Sequence, residues 1–212
     1  IAEAYDNLPS NDLKNPAVQK AYKALGEEIQ KQWDFAQKEL GIKFEPWKKE
    51  GQPYKDSAAM IEDVKKNNHL YFFTGGEPHP LLGKIDSKLG LSLNDKFRAV
   101  HDLFGHAAEG NKFGPHGEEN AWLAHSQMFS KEAQKAMTTE TRGQNSWVNF
   151  GKQNYKNGKH TNSPLTDRPY AEQKVALLPD EFLDWESVLK KTTKGRELPP
   201  KKKPPFSKKP PL

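Results

Sequence analysis

Between Asn15-Pro16 and Gly41 the apolar residues Val18, Tyr22, Leu25, Ile29, Trp33, Ala36 and Leu40 recur every three or four positions. An α-helix with 3.6 residues per turn is the structure that gathers such a set on one face. Asn15 suits its N-cap, Pro16 its first turn and Gly41 its C-terminal stop. A long helix with one apolar stripe must lay that stripe against other elements, so the chain is committed to helix packing.

The other signals are shorter. Residues 1–14 read as a polar lead-in. Positions 42–47 are extended, 57–66 helical, and 69–74, aromatic-rich and closed by Gly75-Gly76, a short strand. Proline puts Glu77-Pro78-His79-Pro80 in a loop, with His79 exposed. Helical spacing returns from Ser92 to about Gly110, then over 118–129, 130–137 and 139–150. Residues 151–169 read as irregular, 170–178 as ambiguous and 179–189 as a last amphipathic helix. Trp33, Trp122 and Trp147 read as core. The expected class is mainly α (α+β with a minor β element): one helical domain over 1–189, with its site between helices.

The net charge of +5 is unevenly placed. Residues 190–212 hold nine Lys or Arg against one Glu, so this tail carries +8 and residues 1–189 carry −3. The body is therefore no basic nucleic-acid surface. The Pro/Lys-rich tail has too few apolar residues to form a core and reads as a disordered tether. It suits nonspecific contact with an acidic partner or nucleic acid. No apolar run spans a membrane and no signal peptide opens the chain, so a cytoplasmic location is expected. The Ile-first start fits an excised piece of a larger polypeptide.

There is no cysteine. Disulfides and thiolate sites are excluded, and any metal must sit on His, Asp or Glu. Those ligands select Fe, Mn, Zn or Mg chemistry. The stretch that carries it is His101-Asp102-Leu103-Phe104-Gly105-His106. His101 shares a face with Phe97, Val100, Phe104 and Ala108, while His106 sits about 140° away on an ideal helix. For both imidazoles to grip one ion, the helix must loosen or bulge near Gly105.

The third ligand is a carboxylate from elsewhere. Glu140 shares a face with Gly143, Gln144 and Trp147 and is the favoured choice, since an acid on an apolar face needs a partner. Glu118 lies on one face with Trp122, His125 and Phe129, and Glu119 is turned away. Glu118, Glu119 and His116 read more simply as helix-dipole and solvated groups. His125 and Asp102 are expected to support the ligands, because metal-bound imidazoles donate their other N–H. Arg142 or Gln144 is expected to hold a polar group of a small-molecule substrate. Two His and one carboxylate leave open positions on the ion, the arrangement of non-haem Fe(II) oxygenases. Zn or Mn would fit the same ligands. Zn would support a hydrolase with Glu118, Glu119 or Asp102 as base, and a closed coordination sphere would mark a structural ion instead.

The His-Asp-x-x-Gly-His stretch resembles the metal motif of the aromatic amino acid hydroxylases, and Thr138-Thr139-Glu140-Thr141-Arg142-Gly143 resembles the segment bearing that family's third ligand. The likeness covers roughly residues 95–150. It implies His101, His106 and Glu140 as iron ligands, a monooxygenase activity, and Asp102 facing a pterin cosubstrate. Residues 54–79 and 170–179 also resemble domains of long phage-encoded polypeptides. That likeness implies host cytoplasm or virion, and an internal or structural protein as the non-enzymatic alternative.

Overall fold

The computed structural model describes residues 1–164 and 167–184. The chain runs through α1 (Ala2–Asp6), α2 (Pro16–Lys38), β1 (Lys43–Trp47), α3 (Ser57–Asn67), β2 (His69–Phe73), β3 (Ile85–Asp86), β4 (Leu91–Ser92) and α4 (Leu93–His101). α4 passes without a break into a π-helical turn, Asp102–Ala107. There follow α5 (Pro115–Ser126), α6 (Lys131–Thr138), a second π-helical turn (Thr139–Gly143), α7 (Gln144–Phe150), β5 (Tyr155–Lys156) and β6 (Lys159–His160). The architecture is mainly α with a minor β part. Among the described residues no helix is long and apolar enough to cross a membrane.

α2 is the central element. Asn15 Oδ1 accepts from Ala17 N at 3.0 Å and starts it. Its stripe buries Leu25, Ile29 and Trp33, each worth about 1.5–3 kcal/mol. Trp33 stacks on Phe44 at 4.3 Å and meets Phe72 edge-on at 5.8 Å. These contacts seat the β1–β2 pair on α2. The two strands are parallel, from Lys43 beside His69 to Trp47 beside Phe73, with α3 as the crossover. Asp56 caps α3 through Ala59 N, and Asn68 closes it in the left-handed region at φ 49°.

Several segments depart from the sequence expectation. The lead-in contains α1, whose Tyr5 is buried and donates to the Glu172 carbonyl at 2.7 Å. Two-residue pairings occur at β3–β4 and β5–β6, too short to leave a period in the sequence. The ambiguous 170–178 segment forms no helix or named strand and buries Val175, Ala176 and Leu178; Val175 makes an isolated bridge to Asn11. The expected last helix is a single 3-10 turn, Asp180–Phe182, as far as residue 184. The rest of that helix and the basic tail lie outside the described residues. His79 is not exposed: it is 3% accessible, because the loop folds over α2 and the second π turn.

Candidate metal centre

The distortion near Gly105 brings the two histidines together. The Ala108 N–H bonds the Leu103 carbonyl, five residues back, at 2.8 Å. A five-residue register turns positions 101 and 106 onto one side, which a regular α-helix does not. The His101 and His106 rings stand 5.3 Å apart and nearly perpendicular. Gly105 makes room: a Cβ there would lie 3.2 Å from His101 Cε1 and 3.2 Å from the Ala121 carbonyl oxygen. Asn111 braces the turn, donating to the Gly105 carbonyl at 2.8 Å.

The carboxylate beside the two imidazoles is Glu118, in the first turn of α5. One ligand atom each from His101, His106 and Glu118 lies within 4.8 Å of the others. His106 Nε2 is 3.4 Å from Glu118 Oε2. Its Nδ1 donates to the Asn111 carbonyl at 3.3 Å, which leaves Nε2 to face Glu118. Burial opposes charge on His106, but Glu118, Asp102 and the Asn111 carbonyl outweigh it and hold its pKa above the usual imidazole value.

A hydrogen-bond chain orients His101. Gln32 Nε2 donates to the Met128 carbonyl, so its Oε1 faces His125. His125 Nε2 donates to that oxygen at 2.7 Å. Burial, then the charge of His106, pushes His125 down to about 3, so the ring is neutral and its Nδ1 is an acceptor. His101 Nδ1, 3.0 Å away, supplies the proton. His101 Nε2 is left with a free lone pair. The chain Gln32–His125–His101 fixes the tautomer that a metal ligand needs.

No family model, curated protein or solved structure matches this chain. The site is therefore read from its own geometry.

Glu140 is placed differently from the expectation. Its Oε1 accepts from Tyr22 OH at 2.5 Å and from His79 Nε2 at 3.1 Å. His79 Nδ1 takes the Leu81 and Leu82 N–H groups, so its proton is on Nε2 and points at Glu140. The partner that this acid needs is thus a Tyr–His pair, and Glu140 stands outside the group of three ligand atoms. It remains close: Glu140, His101 and Glu118 line one cavity of about 160 Å³.

Of the other expected residues, His125 supports His101 as described, and Gln144 lines the cavity. Arg142 does not. Its Nε and Nη2 pair with Glu119 at 3.1 and 2.5 Å, its Nη1 donates to the Phe182 carbonyl, and its guanidinium lies 4.0 Å over Trp122. Those contacts employ all three of its nitrogens in joining elements, which also removes Glu119 as a base. Asp102 is not among the cavity-lining residues. Burial drives its carboxyl up to about 7. His116 is exposed. The signal that pointed to Glu118 was its i, i+7 spacing to His125 on α5, which puts both on the face turned to the π turn.

Proposed function

We propose that this chain is a mononuclear metalloenzyme of the non-haem iron oxygenase type, with the ion held by His101, His106 and Glu118. The supporting observation is the convergence of those three ligand atoms, with His101 and Glu118 also lining a polar cavity. Bound Fe(II) would supply dioxygen activation, with a two-electron donor of the reduced-pterin class that the motif resemblance implies. The protein's own part is orientation and shielding. The Gln32–His125 chain holds His101, Asn111 holds His106, and the packed faces of α4 and α5 limit water.

A zinc hydrolase on the same three ligands is the second reading. It is favoured by Glu140, a buried carboxylate that lines the same cavity and would serve as proton acceptor for a bound water.

Metal analysis of the purified protein tests the first reading. One Fe(II) per chain is expected, lost in His106→Ala and Glu118→Ala and kept in Glu140→Gln. Nitric oxide should add to the bound iron and give the half-integer-spin EPR signal of a site with open positions. Zinc in place of iron selects the hydrolase. Retention of metal in both His106→Ala and Glu118→Ala refutes the site.

A further inference from the structure

We propose that a groove along α2, separate from the metal cavity, binds a small monoanion with an apolar body, of the medium-chain carboxylate class. The groove measures about 790 Å³ and lies between α2, the segment 81–87 and the start of α4. It shares no lining residue with the 160 Å³ cavity, so the proposal stands without the metal-centre reading.

Lys96 supplies a buried donor to this groove. It is 2% exposed, and its Nζ donates to Gln30 Oε1 at 2.8 Å and to Asp86 Oδ2 at 3.0 Å, both on residues that line the groove. An ammonium has three protons to give. The third finds no acceptor among the described residues, and a donor this buried calls for one. Charge points the same way. Lys23, Lys84 and Lys96 line the groove against Glu27 and Asp86, three cations to two anions. Glu27 stands 4.0 Å from Lys23, and Asp86 faces Lys96. Lys84 is left: it is exposed, and its side chain makes no hydrogen bond or ion pair among the described residues. The excess of one positive charge matches a carboxylate; a phosphate monoester, at about −1.5 to −2 near neutral pH, exceeds it.

The apolar wall sets the rest of the ligand. Leu81, Ile85 and Leu93 line the groove, and Gly26 brings the bare backbone of α2 to it. Packing keeps Gly26 free of a side chain, since a Cβ there would lie 3.1 Å from Leu93 Cδ1. Ile85 is 63% exposed, so a hydrocarbon laid against it would remove apolar surface from water. An inorganic anion would meet the lysines and leave that wall wet. An apolar alcohol would cover the wall and leave the charge of Lys84 unmatched. A carboxylate on a short hydrocarbon chain does both, and the volume is within the range of small-molecule sites, about 300–1,000 Å³.

Calorimetry of the full chain with octanoate, hexanoate, octanol and octyl phosphate tests this. Octanoate should bind about tenfold to a hundredfold more tightly than octanol, the range of a hydrogen bond to a charged group. Hexanoate, two methylenes shorter, should bind about tenfold more weakly than octanoate. Octyl phosphate should bind no more tightly than octanoate. Lys84→Gln should remove most of the preference for octanoate over octanol, and Ile85→Ser should weaken the binding of both. Both positions are exposed, so the fold is kept. Equal affinity for octanoate and octanol refutes the proposal, as does octanoate binding that is unchanged in Lys84→Gln. Tighter binding of octyl phosphate refutes the monoanion assignment. Octanoate binding lost in Glu118→Ala but kept in Lys84→Gln would put the carboxylate on the metal ion and refutes the groove alone, so its failure is distinct from that of the metal centre.

Discussion

His101 and His125 share one proton between their Nδ1 atoms, 3.0 Å apart, and Gln32 decides which ring owns it. The buried amide oxygen of Gln32 keeps the His125 proton on Nε2, and that makes His101 the donor. A residue on α2, remote in sequence, thereby sets the lone pair that His101 presents to an ion.

Gln32→Leu removes the acceptor and frees His125 to take either tautomer. Metal affinity should fall about tenfold to a hundredfold, the range for such supporting partners. The unpaired His125 N–H should cost about 1–3 kcal/mol of stability. Gln32→Glu, which still accepts, should retain most of the affinity. Competition with a chromophoric chelator reads both variants, and equal affinities in Gln32→Leu and the wild type would contradict the chain.

Gly105→Ala separates the metal site from the fold. The new Cβ would meet the Ala121 Cβ and carbonyl oxygen and His101 Cε1, each at 3.2 Å. His101 cannot retreat without leaving His125. Alanine is meanwhile the better helix former by about 1 kcal/mol, which offsets the crowding in the stability. The expected result is a roughly tenfold loss in metal affinity, the low end of the range for disturbed ligand support, with a nearly unchanged denaturation midpoint.

Arg142→Lys should act the opposite way. A lysine cannot reproduce the two-pronged pairing with Glu119 and the bond to the Phe182 carbonyl. Arg142 is 7% exposed but its partner Glu119 is one-third exposed, so the cost should be that of a hydrogen bond to a charged group, about 1.5–3 kcal/mol. Urea denaturation should show the loss, and zinc stoichiometry should stay at the wild-type value. Selective loss of metal or ligand binding would return Arg142 to the site.

Asp102 makes the metal-free protein sensitive to pH. Its ordinary value is 3.8, and burial drives it in the folded chain to about 7. A raised carboxyl favours the fold fully below the unfolded value, and that contribution is lost as pH rises through the folded one. Asp102→Asn has no charge to bury. Its gain in Tm over the wild type should be small near pH 4 and should grow to its maximum above pH 7. A gain independent of pH would place the Asp102 carboxyl in solvent.

Much of this was legible in the residues alone. The three-and-four spacing of Val18 through Trp33, the Asn15-Pro16 start and the aromatic run at 69–73 are local signals, and helices and strands are local structures. Even the π turn was legible, since two histidines five apart can meet on one ion only if the helix departs from its ordinary register. The choice of carboxylate was not. Glu118 and Glu140 both sit on inward-facing helix stripes, and nothing within a few residues of either says which faces His101. That was decided by how α5 lies against the first π turn, and by a proline-bound loop that carries His79 into the interior to meet Glu140. Periodicity tells a side chain which way to point from its own axis; only the packing of the axes determines what it finds there.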